Sequence, residues 1–378
     1  MNCIEEFAAD LADICSRSPV ASGRPLFWTI IANPTAGGFT IRSRWRRHRE
    51  TLSRFAAEAR LKAARPEGAS PSFTARKDDY GNGTLGALGL VPTRRAAHAG
   101  EIVRALVDEA AAWEADAPGK GKQPFYLIVT AGGDGTSLEA LTALYEAPAK
   151  LRSSFAILRL PMGTGNDGAD ARELSDALEL IARPSRIDYV RAVRLRTATA
   201  GKGPFLAFNI LSVGLDAFVT HMTNKTKGSM PGDSYKLWVD LATLFYDKIY
   251  KVAPMTVTAT DSRGNEVQSF TDELLLLAFG ASGNRTYGSN KKILPDDRNV
   301  CAVKQMPLFK KIQLKVLFTS GNHAQRPEAR LFSAERVEFS YGFPILAQMD
   351  GEAVLLEPAD FPASIELTEP AIPTLKPA

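Results

Sequence analysis

Three glycine-bearing turns hold the side chains of this 378-residue chain best suited to chemistry: Asn33-Pro34-Thr35-Ala36-Gly37-Gly38, Gly132-Gly133-Asp134-Gly135-Thr136 and Gly163-Thr164-Gly165-Asn166-Asp167. Each follows an apolar, β-branched or aromatic run that reads as a strand, at residues 27–32, 125–129 and 155–160. Glycines let the backbone approach a phosphate closely, and the N-terminus of a following helix adds exposed N–H donors and a positive dipole end. Two of the turns also carry hydroxyls and carboxylates. The phosphate cradle is of an uncommon kind, because neither a GxxxxGK[ST] loop nor a GxGxxG fingerprint occurs at any of them.

The elements that must position these turns alternate. A helical stretch is expected over residues 41–64 and another over 97–112, where Ile102, Leu106 and Val107 share a side. A third, over 137–145, follows the central turn. Strand, glycine turn, helix and strand in succession indicate an α/β layer with a parallel sheet, whose loops after the strand ends gather at one edge. Residues 65–92 are rich in Pro, Gly, Ser and Asp and read as a surface insertion.

Beyond Pro184 the texture becomes mainly β, with short runs at 190–195, 205–211, 255–259, 274–279, 312–318 and 337–340. One helix, over 235–250, interrupts them, and its Trp238, Leu241 and Phe245 stripe reads as core packing. The expected organisation is an α/β nucleotide-binding domain over 25–186 and a mainly β, sandwich-type domain over 187–368. Residues 1–24 and 369–378 are expected as terminal extensions.

Composition narrows the class. Hydrophobic residues make up 45% and charged residues 23%, a globular balance, and the net charge of +4 is too mild to demand nucleic acid. Cys3, Cys15 and Cys301 show no paired spacing, which fits a reducing compartment. The start of the chain has acids where a signal peptide needs bases, and no apolar run reaches membrane-span length. A cytoplasmic protein is expected. The arginines at 42, 44, 46, 47 and 49 read as a solvated helix face.

The paired motifs, Gly132-Gly133-Asp134-Gly135-Thr136 with Glu139 and Pro161-x-Gly163-Thr164-Gly165-Asn166-Asp167, resemble those of the diacylglycerol kinase catalytic family, which includes bacterial lipid kinases and sphingosine and ceramide kinases. Asn33-Pro34-x-x-Gly37 resembles the family's first loop, and Thr93 with His98-Ala99 its threonine and helix start. Gly214-x-Asp216 and Asp350-Gly351-Glu352 look like its second-domain motifs.

The resemblance implies an NAD kinase/diacylglycerol kinase-like α/β domain followed by a β-sandwich domain, with catalysis in the cleft between them. ATP would lie along Asn33, Gly37, Thr93, Gly132–Thr136, Glu139 and Gly163–Asp167. Asp134 would hold Mg²⁺ through water or accept the substrate proton, and Asp350 with Glu352 would activate the acceptor hydroxyl. Asp216 and Asp297 are the further metal candidates. The second rests on a loop, Pro295-Asp296-Asp297-Arg298-Asn299, that is compressed relative to the family's and lacks its last glycine. Gly168 replaces the bulky apolar residue that usually follows Asn-Asp.

The expected activity is transfer of the ATP γ-phosphate to a lipid hydroxyl, such as that of diacylglycerol or a sphingoid base, by an enzyme that meets the membrane peripherally. The alternatives are an NAD kinase-like enzyme and a nucleotide-binding module without catalysis. Dimerisation is open. On the dipeptide alone, Asp350-Gly351 also reads as a hairpin turn.

Overall fold

A computed structural model describes residues 3–15, 17–21, 23–63, 89–115, 123–163, 165–183, 185–226, 241, 246–288 and 291–378. The chain divides into two compact units, one of residues 1–190 and 370–378 and the other of 191–369. The insertion read at 65–92 lies outside the described residues except for 89–92, and of the helix read at 235–250 only 241 and 246–250 are described.

The first unit is a six-stranded sheet between helices. Strands β1 (Leu26–Ala32), β2 (Leu90–Pro92), β3 (Phe125–Gly132) and β4 (Phe155–Pro161) run parallel in the order β2-β1-β3-β4. The chain's last strand, Ile372–Pro377, lies parallel to β4 and antiparallel to β5 (Ser185–Val190). Residues 370–378 are therefore part of the first unit's sheet rather than an extension.

Strands β3 and β4 are buried along their whole length, as expected where helices cover both faces. Trp28, Ile30, Leu127, Val129, Ala156 and Leu158, alternate residues of three strands, join one apolar cluster. Helices α1 (Cys3–Cys15), α2 (Gly37–Thr40) and α3 (Arg42–Ala63) contribute to it. The N-terminal stretch thus belongs to the core: Phe7, Leu11 and Ile14 of α1 are fully buried. Helices α4 (His98–Ala115) and α5 (Asp134–Glu146) pack against each other, and α5 also packs on β3.

The second unit is a curled eleven-stranded sheet, so the mainly β reading holds. Its spine is the strand Glu266–Gly280. The first half of that strand pairs with Pro254–Thr260, and its second half pairs with Ile210–Gly214 and Val300–Lys304. Val257, Leu277, Phe279, Val337, Phe339 and Ile365 share one buried cluster, so inward faces from both halves meet over a single core.

One strand reading is overturned. Residues 312–318, whose Ile-x-Leu-x-Val alternation suggested β, lie within the helix Leu308–Ser320. Pro307 sits at its N-cap and Gly321, at φ 86°, ends it in the left-handed region. These boundary residues outweigh the local alternation.

Candidate active site

The three glycine turns meet at the C-terminal edge of the parallel strands. The Asn33 N–H donates to the Ala131 carbonyl at 2.9 Å, and the Thr93 N–H donates to the Ala32 carbonyl at 2.7 Å. Asn33 Oδ1 accepts from the Thr35 N–H and hydroxyl at 3.0 and 2.8 Å, folding the first turn back on itself. Its Nδ2 reaches Thr136 Oγ1 at 3.4 Å. The first turn is also pinned to the third, because the Gly38 N–H donates to the Met162 carbonyl at 2.8 Å.

The glycines are required by this crowding. A Cβ on Gly163 would lie 2.7 Å from the α carbon of Gly133, and one on Gly132 would lie 2.6 Å from Thr136 Oγ1. Gly133 is the N-cap of α5, and Asp134, Gly135 and Thr136 form its first turn, whose N–H groups the helix itself cannot satisfy. Asn166, at φ 60°, is in the left-handed region and donates through Nδ2 to the Pro161 carbonyl at 3.2 Å. Thr164 lies outside the described residues.

Asp134 and Asp167 converge on Gly165. Oδ2 of each lies 3.3 Å from the position a Cβ on Gly165 would take. Asp134 Oδ1 accepts the Gly168 N–H at 3.1 Å, which ties the third turn to the second. Behind the loop, Arg159 and Asp170 form a buried ion pair at 2.7 Å, and Asp170 also accepts the Arg159 N–H at 2.8 Å. Arg44 reaches in from α3 and donates to the Gly163 carbonyl at 3.2 Å. Two oxygen-only side chains around a small glycine cradle suit Mg²⁺, which keeps most of its waters and takes few protein ligands.

Glu139 faces protein backbone: its carboxylate accepts the N–H groups of Ala97 at 2.7 Å and Ala99 at 3.2 Å. It thereby holds the start of α4, where Ala97 adopts φ 66°. Gly37 opens α2 and is buried.

In the second unit, Asp350 and Gly351, at φ 47° and 100°, form the two-residue turn of a hairpin that pairs Ile345–Met349 with Glu352–Leu356. Asp350 is buried, and its carboxylate accepts three consecutive backbone N–H groups: Phe208 at 2.5 Å, Asn209 at 3.0 Å and Ile210 at 2.9 Å. Glu352, across the turn, is exposed. The partners of Asp350 lie about 140 positions away, beyond any motif-based reading.

The metal candidates Asp216 and Asp297 keep separate partners. Asp297 accepts from Asn284 Nδ2 at 2.6 Å. Asp216 is buried and accepts from the Ser212 hydroxyl at 2.7 Å. Among the described residues no group of three or more His, Cys, Asp or Glu side chains is placed to hold a metal.

Asp216 instead lines an apolar cavity with Leu276, Ile293, Met306, Leu314 and Phe318. Lys291 lines it too. Burial pulls its ammonium below the usual lysine range, and Asp216 opposes that pull. The cavity was not legible in sequence, because its walls come from strands and helices spread over a hundred residues.

An α/β sheet with glycine turns at one edge, followed by a curled β unit, defines the diacylglycerol kinase-like fold. The chain superposes on two putative diacylglycerol kinases of Bacillus anthracis str. Sterne, with TM-scores of 0.53 and 0.54 and 18% and 16% identity. In both cases 92% of this chain is covered, together with 94% and 96% of the other. Residues 28–192 match the family model of the diacylglycerol kinase catalytic domain. A curated relative, a probable lipid kinase YegS-like protein of Enterobacter sp. (strain 638), is 25% identical over 228 residues, which is 60% of this chain and 71% of that one.

Proposed function

We propose that this protein is a lipid kinase, transferring the γ-phosphate of ATP to the hydroxyl of a lipid such as diacylglycerol or a sphingoid base. The observation that carries the proposal is the start of α5 at the edge where the glycine turns meet: Gly133 is its N-cap, and the helix itself cannot satisfy the first-turn N–H groups that would meet a triphosphate.

We assign the nucleotide to the loops of Asn33, Thr93, Gly132–Thr136 and Gly163–Asp167, with the helix dipole of α5 favouring the anionic phosphates. Asp134 and Asp167 would hold a hydrated Mg²⁺, which supplies charge neutralisation to the phosphates when bound. Asp216 and Asp297 are not assigned this role: Asp216 accepts from the Ser212 hydroxyl and Asp297 from Asn284.

The acceptor oxygen attacks the γ-phosphorus, the bond to the β–γ bridging oxygen breaks, and ADP departs. The acceptor's proton goes to a carboxylate. Asp350 is assigned to holding residues 208–210, because both its oxygens already accept backbone N–H groups. Exposed Glu352 is the acceptor-side group assigned to the proton. The apolar cavity beside Asp216 and Lys291 would take the lipid chain. Among the described residues no helix is long and apolar enough to cross a membrane, so the enzyme would meet its substrate from the bilayer surface.

Purified protein given Mg·ATP labelled at the γ-phosphate and a panel of lipids should label one lipid class. Labelled phosphate that never appears in any lipid, with nucleotide binding intact, sinks the kinase reading in favour of a binding module.

A further inference from the structure

The loop that carries the third glycine turn is closed by one pair of residues. Arg159, near the end of β4, donates through Nη2 and Nε to Asp170 Oδ1 at 2.7 and 3.3 Å. Asp170 Oδ2 accepts the Arg159 backbone N–H at 2.8 Å, and the Asp170 N–H donates to the Arg159 carbonyl at 3.2 Å. The two side chains are only 9% and 1% exposed, so both charges are held out of water.

A buried ion pair adds little stability over apolar residues of the same size, because both charges give up their hydration. What it adds here is geometry. A guanidinium fork meets a carboxylate in a fixed orientation, and the backbone bonds in both directions hold Asp170 in place. Two residues before Asp170 is Gly168, whose N–H donates to Asp134 Oδ1 at 3.1 Å. A Cβ on Gly168 would lie 3.4 Å from that oxygen and 3.7 Å from Arg159 Nη1, so the guanidinium and the Asp134 carboxylate border the same gap. Asp167, one residue further back, shares the Gly165 cradle with Asp134. The pair therefore fixes the exit of a loop that carries one of these carboxylates and holds the other.

We infer that Arg159 and Asp170 are positioning residues, which set the placement of the Asp134 and Asp167 carboxylates for a hydrated divalent cation on the nucleotide phosphates. A cation site loses affinity when the groups that orient its ligands are altered. The inference rests on the proposed assignment of Mg²⁺ to these two carboxylates, and its test needs no catalysis. The affinity of the full chain for adenylyl imidodiphosphate, a non-hydrolysable ATP analogue, is measured by calorimetry with Mg²⁺ and with EDTA. The ratio of the two affinities is the gain due to the metal.

Arg159→Met alone strands a buried carboxylate and should lower the melting temperature. The double variant Arg159→Met, Asp170→Asn removes both charges and keeps an amide oxygen to accept the N–H of position 159, so it should recover most of that loss. Its gain from Mg²⁺ should nevertheless fall by about tenfold or more. If the double variant does not fold, Asp170→Asn alone, nearly isosteric with the wild type, should show the same fall. A folded variant whose gain from Mg²⁺ equals that of the wild type makes the pair merely structural, which overturns the inference and leaves the kinase reading intact. A wild type that binds the analogue equally with Mg²⁺ and EDTA overturns the metal assignment and the inference with it. A wild type that binds no analogue under either condition sinks the kinase reading and the inference together.

Discussion

Asp134 Oδ1 accepts the backbone N–H of Gly168 at 3.1 Å, so the central turn's carboxylate fixes the loop that follows Asn166-Asp167. Its other oxygen faces the Gly165 cradle beside Asp167. One side chain thus both joins two motifs and presents charge to the candidate nucleotide site. Asp134→Asn keeps an acceptor for Gly168 and removes the charge. The folded state should persist with a small loss, about 1 kcal/mol or less, while phosphoryl transfer falls by about 10²-fold or more. Thermal unfolding and transfer rate, measured on the same preparation, separate the two effects.

Gly163→Ala should damage the site without removing any functional side chain. Its Cβ would stand 2.7 Å from the Gly133 α carbon and 2.9 Å from Asn166 Oδ1, and backbone cannot swing aside. A stability loss of about 1–3 kcal/mol is expected. Nucleotide affinity should weaken more than that loss explains, which a titration of folded protein would reveal.

Asp350 and Glu352 should behave differently despite their proximity in sequence. Asp350→Asn leaves three backbone N–H groups facing a neutral amide and should destabilise the second unit by about 2–4 kcal/mol. Turnover per folded molecule should change little. Glu352→Gln should leave the melting temperature unchanged and slow transfer by about 10²-fold or more. The reverse pattern would return the proton to Asp350.

His48, on α3, predicts a pH dependence. Burial, reinforced by the Arg47 and Arg44 charges, pushes its imidazole down to about 4 from an ordinary 6.5. Between those values the unfolded chain takes up a proton that the folded chain refuses, so stability should fall as pH drops through that window. Below it the effect saturates. His48→Gln should flatten the slope of melting temperature against pH between 6.5 and 4, even if its absolute stability is lower.

Local signals carried the first unit. Gly132-Gly133-Asp134-Gly135-Thr136 and its partner at 163–167 are short, and their strand-turn context is written in adjacent residues, so the edge they share was legible. Features made by distant residues were not. The strand Ile372–Pro377 contains two prolines and no clean alternation, yet it lies inside the sheet, between β4 and β5. The alternation at 312–318 pointed to a strand, and boundary residues at 307 and 321 decided for helix. Glu139 was read with the nucleotide loops, but it sits across from α4 and holds the N–H groups of Ala97 and Ala99. Asp350-Gly351 was legible as a turn, whereas its grip on residues 208–210 required the fold.

The central claim is tested most directly by mass analysis of the product formed from Mg·ATP and a mixed panel of lipids and NAD. The expected product is one lipid class gaining a single phosphoryl group, with no such product from Asp134→Asn. Phosphorylated NAD with every lipid unchanged, or bound ATP that is never turned over, would contradict it.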